Sequence, residues 1–223
     1  RIISHVIAIG GIKAKPGKLS LDLLSEIAEK SELRCADKKA EGRMKKHIDE
    51  AKKKGDTVGG VFEIITTNVP AGVGSYSQWD RRMNARLAYA VMSIQAIKGV
   101  EIGIGFDAAA RFGSDVHDAI YYDRSKHKFF RKTNRAGGIE GGITNGENIV
   151  VRAAMKPIAT LYSPMDSVDV KTKKPFKATV ERSDYCAVPA ASVVGEAMVA
   201  VEIANAFLEK FGGDSMDEIQ RNY

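Results

Sequence analysis

Two stretches of this 223-residue chain combine residue types and spacing that suit chemistry. The first runs Asn134-Arg135-Ala136-Gly137-Gly138-Ile139-Glu140-Gly141-Gly142-Ile143-Thr144-Asn145-Gly146. After an apolar strand it reaches Lys156-Pro157-Ile158-Ala159-Thr160. Each glycine costs roughly 0.5–1 kcal/mol of backbone entropy against alanine, a cost met where φ must be positive or a ligand lies against the main chain. Such a segment can present backbone N–H groups to a phosphate or a planar ring. Lys156 and Thr160 add a cation and a hydroxyl, both suited to phosphate oxygens. The plain alternative is a hairpin with glycine turns. The second stretch is Arg182-Ser183-Asp184. Arginine can grip a carboxylate or phosphate bidentately, and an aspartate two residues on can take or hold a proton. Its plain alternative is a structural Arg–Asp pair at a helix N-terminus, and spacing alone favours that alternative.

The elements that must position these residues follow from periodicity. Ile2–Ile9 reads as a β-branched strand ended by Gly10-Gly11, with His5 as a core histidine. Helices are expected from Ser20 to Lys30 and from Asp37 to Lys54, the second highly charged, closed by Gly55 and bearing a solvated His47. A strand follows at Val58–Thr67, then a loop through Tyr76. A long amphipathic helix is expected from Ser77, its N-cap, to Lys98-Gly99, with Trp79, Met83, Leu87, Ala90, Val91 and Ile94 on its apolar side. Val100–Ala110 reads as a broken strand. Residues 112–132, holding His117 and His127, read as an irregular, mobile loop. Asn148–Met155 is a strand, and a hairpin turns around Thr172–Pro175. A helix from Ala190 to Phe211, apolar almost all round, should be buried on most faces, and the last dozen residues should fray.

Bulk properties set bounds. The chain is 44% hydrophobic and 28% charged, ordinary for a folded domain. Its net charge, 34 − 28 = +6, suits an anionic ligand without arguing for nucleic acid, because the basic residues are spread and no single-strand platform or zinc-finger spacing is present. Cys35 and Cys186 make neither a disulfide framework nor a metal pattern, which fits a reducing cytoplasm. The apolar runs are short and interrupted, so no membrane span is expected. The chain opens at Arg1, directly before a strand, so a preceding N-terminal part is expected to be missing.

With these residues assembled, the chain resembles the chorismate synthase family. The resemblance is carried by Ser77-Gln78-Trp79-Asp80, the run Ser93 to Gly103 with Gln95-Ala96-Ile97-Lys98-Gly99 at its centre, the glycine-rich run Asn134 to Gly146, Lys156-Pro157, and Arg182-Ser183-Asp184-Tyr185-Cys186-Ala187-Val188-Pro189. It is collinear from about Asp56 to Gly213. It implies an α+β fold of the β-α-β sandwich type, with helices packed between antiparallel sheets, in one domain over residues 1–223. It implies a phosphate lyase that converts 5-enolpyruvylshikimate 3-phosphate to chorismate by 1,4-anti elimination, using reduced FMN, in the cytoplasm and as a homotetramer. NADPH reduces the FMN in some relatives and not in others. Carried over, the flavin contacts are Gln95, Ala96, Gly141, Lys156, Pro157, Ile158, Ala159, Thr160 and Arg182, with Asp184 the acidic group that handles a proton. The family's catalytic histidines have no match at His5, His47, His117 or His127. The resemblance therefore implies a C-terminal portion, inactive alone. A fragment that only folds, binds flavin or oligomerises, and a basic nucleic-acid module, are the competing readings.

Overall fold

A computed structural model describes residues 1–223. The principal sheet has five strands in the order β2-β1-β3-β9-β4. These are β1 (Ile2–Ile9), β2 (Ile12–Lys13), β3 (Gly60–Thr66), β4 (Ile97–Ile102) and β9 (Ile149–Met155). Three antiparallel hairpins complete the strands: β5 (Ile120–Asp123) with β6 (Lys128–Arg131), β7 (Ile139–Glu140) with β8 (Ile143–Thr144), and β10 (Asp166–Val168) with β11 (Pro175–Lys177). The helices are α1 (Leu21–Lys30), α2 (Lys38–Lys54), α3 (Met83–Met92), α4 (Gly113–Val116), α5 (Val188–Phe211) and α6 (Met216–Asn222). The fold class is α+β, as expected.

The chain divides into two compact units, whose boundaries fall inside β1, β3, β9 and α5. In the unit made of residues 5–62 and 154–192, β1 buries Val6 and Ile9 with Phe62, Leu24, Ala28, Ala40 and Met44. Gly55 closes α2 as expected, whereas Ser20 and Asp37, read from the sequence as the first helical residues, are N-caps. Ser20 Oγ accepts from Leu23 N, Asp37 accepts from Lys39 N and Ala40 N, and Gly55 closes α2 at φ 67°. The charged α2 touches the core through the narrow stripe Ala40, Met44 and Ala51. His5 is buried, as expected of a core histidine.

The unit made of residues 1–4, 63–153 and 193–223 buries Ile64, Val73, Met83, Leu87, Val91, Ile149, Val151 and Val199. Here several expectations need correction. The long helix from Ser77 is in fact a single 3-10 turn at Trp79–Arg81, a break at Arg82, and α3, which stops at Met92. Ser77 caps nothing, and Trp79 is exposed. The apolar spacing is right, but α3 ends at Met92 and a turn over residues 93–96 leads into β4. The broken strand expected at Val100–Ala110 is β4 followed by a 3-10 segment, Gly105–Ala110. Residues 112–132 hold α4 and a hairpin with Tyr121 stacked on Phe130 and Tyr122 against Phe129. The tail does not fray: Ser215 caps α6, and Tyr223 packs on Phe207 and Phe211. Helix α5 is not buried on most faces, since Val193, Val194, Val201 and Leu208 are each close to half exposed. By length and composition α5 also meets the requirement for a membrane-crossing helix, which the short runs in the sequence conceal.

Candidate functional site

The Lys-Pro corner is built by the end of β9 and by the segment that precedes β3. A Cβ on Gly59 would lie 2.3 Å from Met155 O and 2.8 Å from Pro157 N, so only glycine lets residues 57–59 run against the corner. Thr57 Oγ1 donates to Ile158 O at 2.6 Å, and Val58 N donates to Tyr185 O at 2.9 Å. One short segment is thereby bonded to both candidate pieces. A further bond joins the pieces directly, with Ser183 Oγ donating to Thr160 O at 3.1 Å. The Tyr162 and Tyr185 rings lie 5.5 Å apart beside it, and the Lys52 ammonium stands over Tyr185. The run Lys156–Thr160 and the step Arg182–Asp184, more than twenty residues apart in sequence, are therefore neighbours in this unit.

Lys156, Arg182 and Asp184 are exposed. Arg182 and Asp184 do not pair with one another, and Asp184 lies ahead of α5, which begins at Val188. The structural ion pair that spacing alone favoured is therefore not what the chain forms. Burial pushes the neighbouring Cys186 thiol above its ordinary range, which makes it a poor nucleophile. Tyr162 went unnoticed in the sequence, because nothing local marks a tyrosine whose partners lie twenty-odd residues downstream.

The other unit holds Gln95, Ala96 and Gly141. Gly141 and Gly142 form the two-residue turn of the β7–β8 hairpin, at φ 63° and 97°. The plain hairpin reading is thus correct for the local backbone. The four glycines around it are not alike, however. A Cβ on Gly137, Gly138 or Gly142 would strike backbone at 2.3–2.6 Å, so packing explains those three. A Cβ on Gly141 would meet nothing within 4 Å beyond its chain neighbours, and the residue is exposed. Its open backbone is free to receive a ligand. Gln95 and Ala96 form the turn from α3 into β4, and Ala96 adopts φ 66°, a left-handed conformation that costs a residue with a Cβ about 1–2 kcal/mol. Gly142 O accepts from Met83 N at the start of α3, whereas the Gln95–Ala96 turn follows its far end, a helix length of about 15 Å away. The two features are therefore separated within the unit.

A sequence-distant residue fixes the glycine-rich segment. Asp118, almost fully buried, accepts from Thr133 Oγ1 at 2.5 Å and from the Arg135 and Ala136 amides at 2.9 Å. Burial works against its ionisation, but the hydrogen bonds from Ala136, Thr133 and Arg135 outweigh it and hold the carboxyl below the ordinary aspartate range.

The chorismate synthase family model matches residues 1–208. Chorismate synthase of Geobacter metallireducens is 65% identical to the chain, covering all of it and 58% of the relative's own length. That of Geobacter sulfurreducens is 64% identical, over 96% of the chain and 56% of the relative. A crystal structure of chorismate synthase superposes with a TM-score of 0.82 at 47% identity, covering all of the chain and 61% of that protein. The chain thus spans a little over half the length of the relatives it matches, and by sequence and fold alike it belongs to the chorismate synthase family.

Proposed function

We propose that the chain is the flavin-binding portion of an enzyme that eliminates phosphate from 5-enolpyruvylshikimate 3-phosphate to give chorismate, in aromatic amino-acid biosynthesis. The observation that carries this reading is the Ser183–Thr160 bond, which sets the exposed, unpaired cations of Lys156 and Arg182 on neighbouring segments. A substrate bearing a phosphate and two carboxylates, and a cofactor bearing a phosphate, both call for such cations. The chemistry of the residues suits FMN unit by unit: Thr160 and Lys156 offer a hydroxyl and an ammonium in residues 154–192, and Gly141 is exposed with a left-handed backbone in the other unit. The proposed flavin contacts are Gln95, Ala96 and Gly141 in one unit and Lys156, Pro157, Ile158, Ala159, Thr160 and Arg182 in the other. When bound, reduced FMN supplies a transient electron and assists removal of the ring proton. In this chain, Arg182 and Lys156 neutralise and orient the anions, and Asp184 holds or accepts a proton beside them. The proposed working form is a single-domain, cytoplasmic homotetramer with a small-molecule substrate and neither nucleic acid nor membrane as partner. NADPH is one source of the flavin's electrons.

Because this stretch spans only 58% of the relative's length, we expect it to bind flavin without turning over. Titrating FMN into the chain and following flavin fluorescence tests the reading. Saturable quenching that is weakened about tenfold or more by Lys156→Ala or Arg182→Ala supports it, each being a lost charge-assisted contact. No change on titration supports instead a portion that only folds or assembles, and chorismate formation by the chain alone would overturn the expectation of inactivity.

A further inference from the structure

We infer that Asp118 is a positioning residue that sets the backbone of the glycine-rich segment and so the conformation in which Gly141 meets its ligand; this rests on the flavin reading above. The path is a chain of hydrogen bonds within one unit. Asp118 gathers Thr133 Oγ1, Arg135 N and Ala136 N. Those three contacts close the Asn134–Gly137 turn, in which Gly137 N donates to Asn134 O at 3.2 Å. Asn134 then holds both sides of the segment: its Oδ1 accepts from Gly138 N at 2.9 Å, and its Nδ2 donates to Asn148 O at 2.7 Å. Gly138 O accepts from Asn145 N at 2.9 Å, and Asn145 Nδ2 donates to Glu140 at 2.7 Å, beside the turn residue Gly141. Arg131 grips the same Glu140 carboxylate at 2.7 Å.

A buried carboxylate that accepts two consecutive amides and a hydroxyl makes charge-assisted bonds, the stronger kind. Gly137, Gly138 and Gly142 are wedged against neighbouring backbone, so the segment has little slack of its own except at Gly141. Displacement at Arg135 and Ala136 is therefore passed along the bonded chain to the one residue left open. An asparagine at position 118 keeps the shape but sets an NH₂ against one of the donors, leaving a backbone N–H unmatched.

The test measures hydrogen exchange and FMN binding on the 223-residue chain and on two variants, Asp118→Asn and Thr133→Val. We expect Asp118→Asn to speed exchange about tenfold or more not only at Arg135 and Ala136 but at Gly138 and Asn145, with α1 and α2 unchanged. Thr133→Val, which removes only the hydroxyl contact, should give the same pattern at smaller amplitude, and it decides the matter if Asp118→Asn fails to fold. Acceleration confined to Arg135 and Ala136, or spread evenly over every amide of the unit, overturns positioning. In the flavin arm, Asp118→Asn should weaken FMN binding about tenfold, an effect expected when the backbone contact is misplaced. A parent that binds FMN and a variant that binds it equally well also overturns it. A parent that binds no FMN overturns the flavin reading instead, and exchange alone then decides whether Asp118 positions the segment.

Discussion

At the scale of single residues, two glycines sort structural need from ligand access. Gly59 lies against the Lys-Pro corner, where a Cβ would come within 2.3 Å of Met155 O. Gly59→Ala should cost about 1–3 kcal/mol through overpacking, read as a lower denaturant midpoint. Gly141→Ala meets no neighbour and adds only the left-handed conformation at φ 63°, about 1–2 kcal/mol. If Gly141 receives the flavin, that substitution should weaken FMN binding by more than its stability loss explains, and equal flavin affinity in the variant would count against it. The glycine-rich run was visible in the sequence, but not the difference among its members. That difference depends on which backbone passes close by, and Gly59 and Gly103 owe their neighbours to contacts made tens of residues away.

At the scale of elements, α3 is fastened to α5 by charge. Arg86, whose side chain is 13% exposed, donates to Glu202 and Glu209 at 2.9 Å each, and Arg81 reaches Glu209 at 3.1 Å. Arg86→Met should cost about 2–3 kcal/mol, below the usual figure for breaking a buried pair because Glu209 is 43% exposed. Burial opposes ionisation of Glu209, but hydrogen bonds from Arg81 and Arg86 bring its carboxyl below the ordinary 4.5. Its folded pKa is thus depressed, so its contribution is present above pH 4.5 and lost as pH falls through the folded value. The Arg86→Met variant should therefore lose less stability than its parent on acidification below that pH, measured by urea midpoints across the range. The helical period of α3 was legible in Met83, Leu87, Ala90 and Val91. Its end was not, because the turn at Gln95–Ala96 holds an alanine at φ 66° where a glycine would have signalled the stop.

At the scale of the whole molecule, the apolar surface is the feature that composition hides. Val193, Val194, Val201 and Leu208 of α5 are exposed, as are Tyr89 and Met92 of α3, which flank an open hollow of about 380 Å³. Apolar area of this kind marks an interaction surface or an aggregation liability. A hydrophobic dye should therefore bind the chain, and combined Val193→Ser, Val201→Ser and Leu208→Ser should lower its fluorescence about twofold or more with little change in Tm. Unchanged fluorescence would mean that this face is covered in solution.

The sequence by itself determined the α+β class, the helices α1 and α2 with the Gly55 stop of α2, the strands β1, β3 and β9, and the family. Each of these rests on local period, on a glycine stop directly after the helix, or on long collinear motifs, all of which are written in consecutive positions. Only the tertiary structure decided that Thr160 and Ser183 adjoin, that Arg182 and Asp184 stay unpaired, and that Asp118 anchors the glycine-rich segment. Those facts depend on hydrogen bonds between residues distant in sequence, whose partners are chosen by how strands and loops pack, and no local spacing encodes that choice.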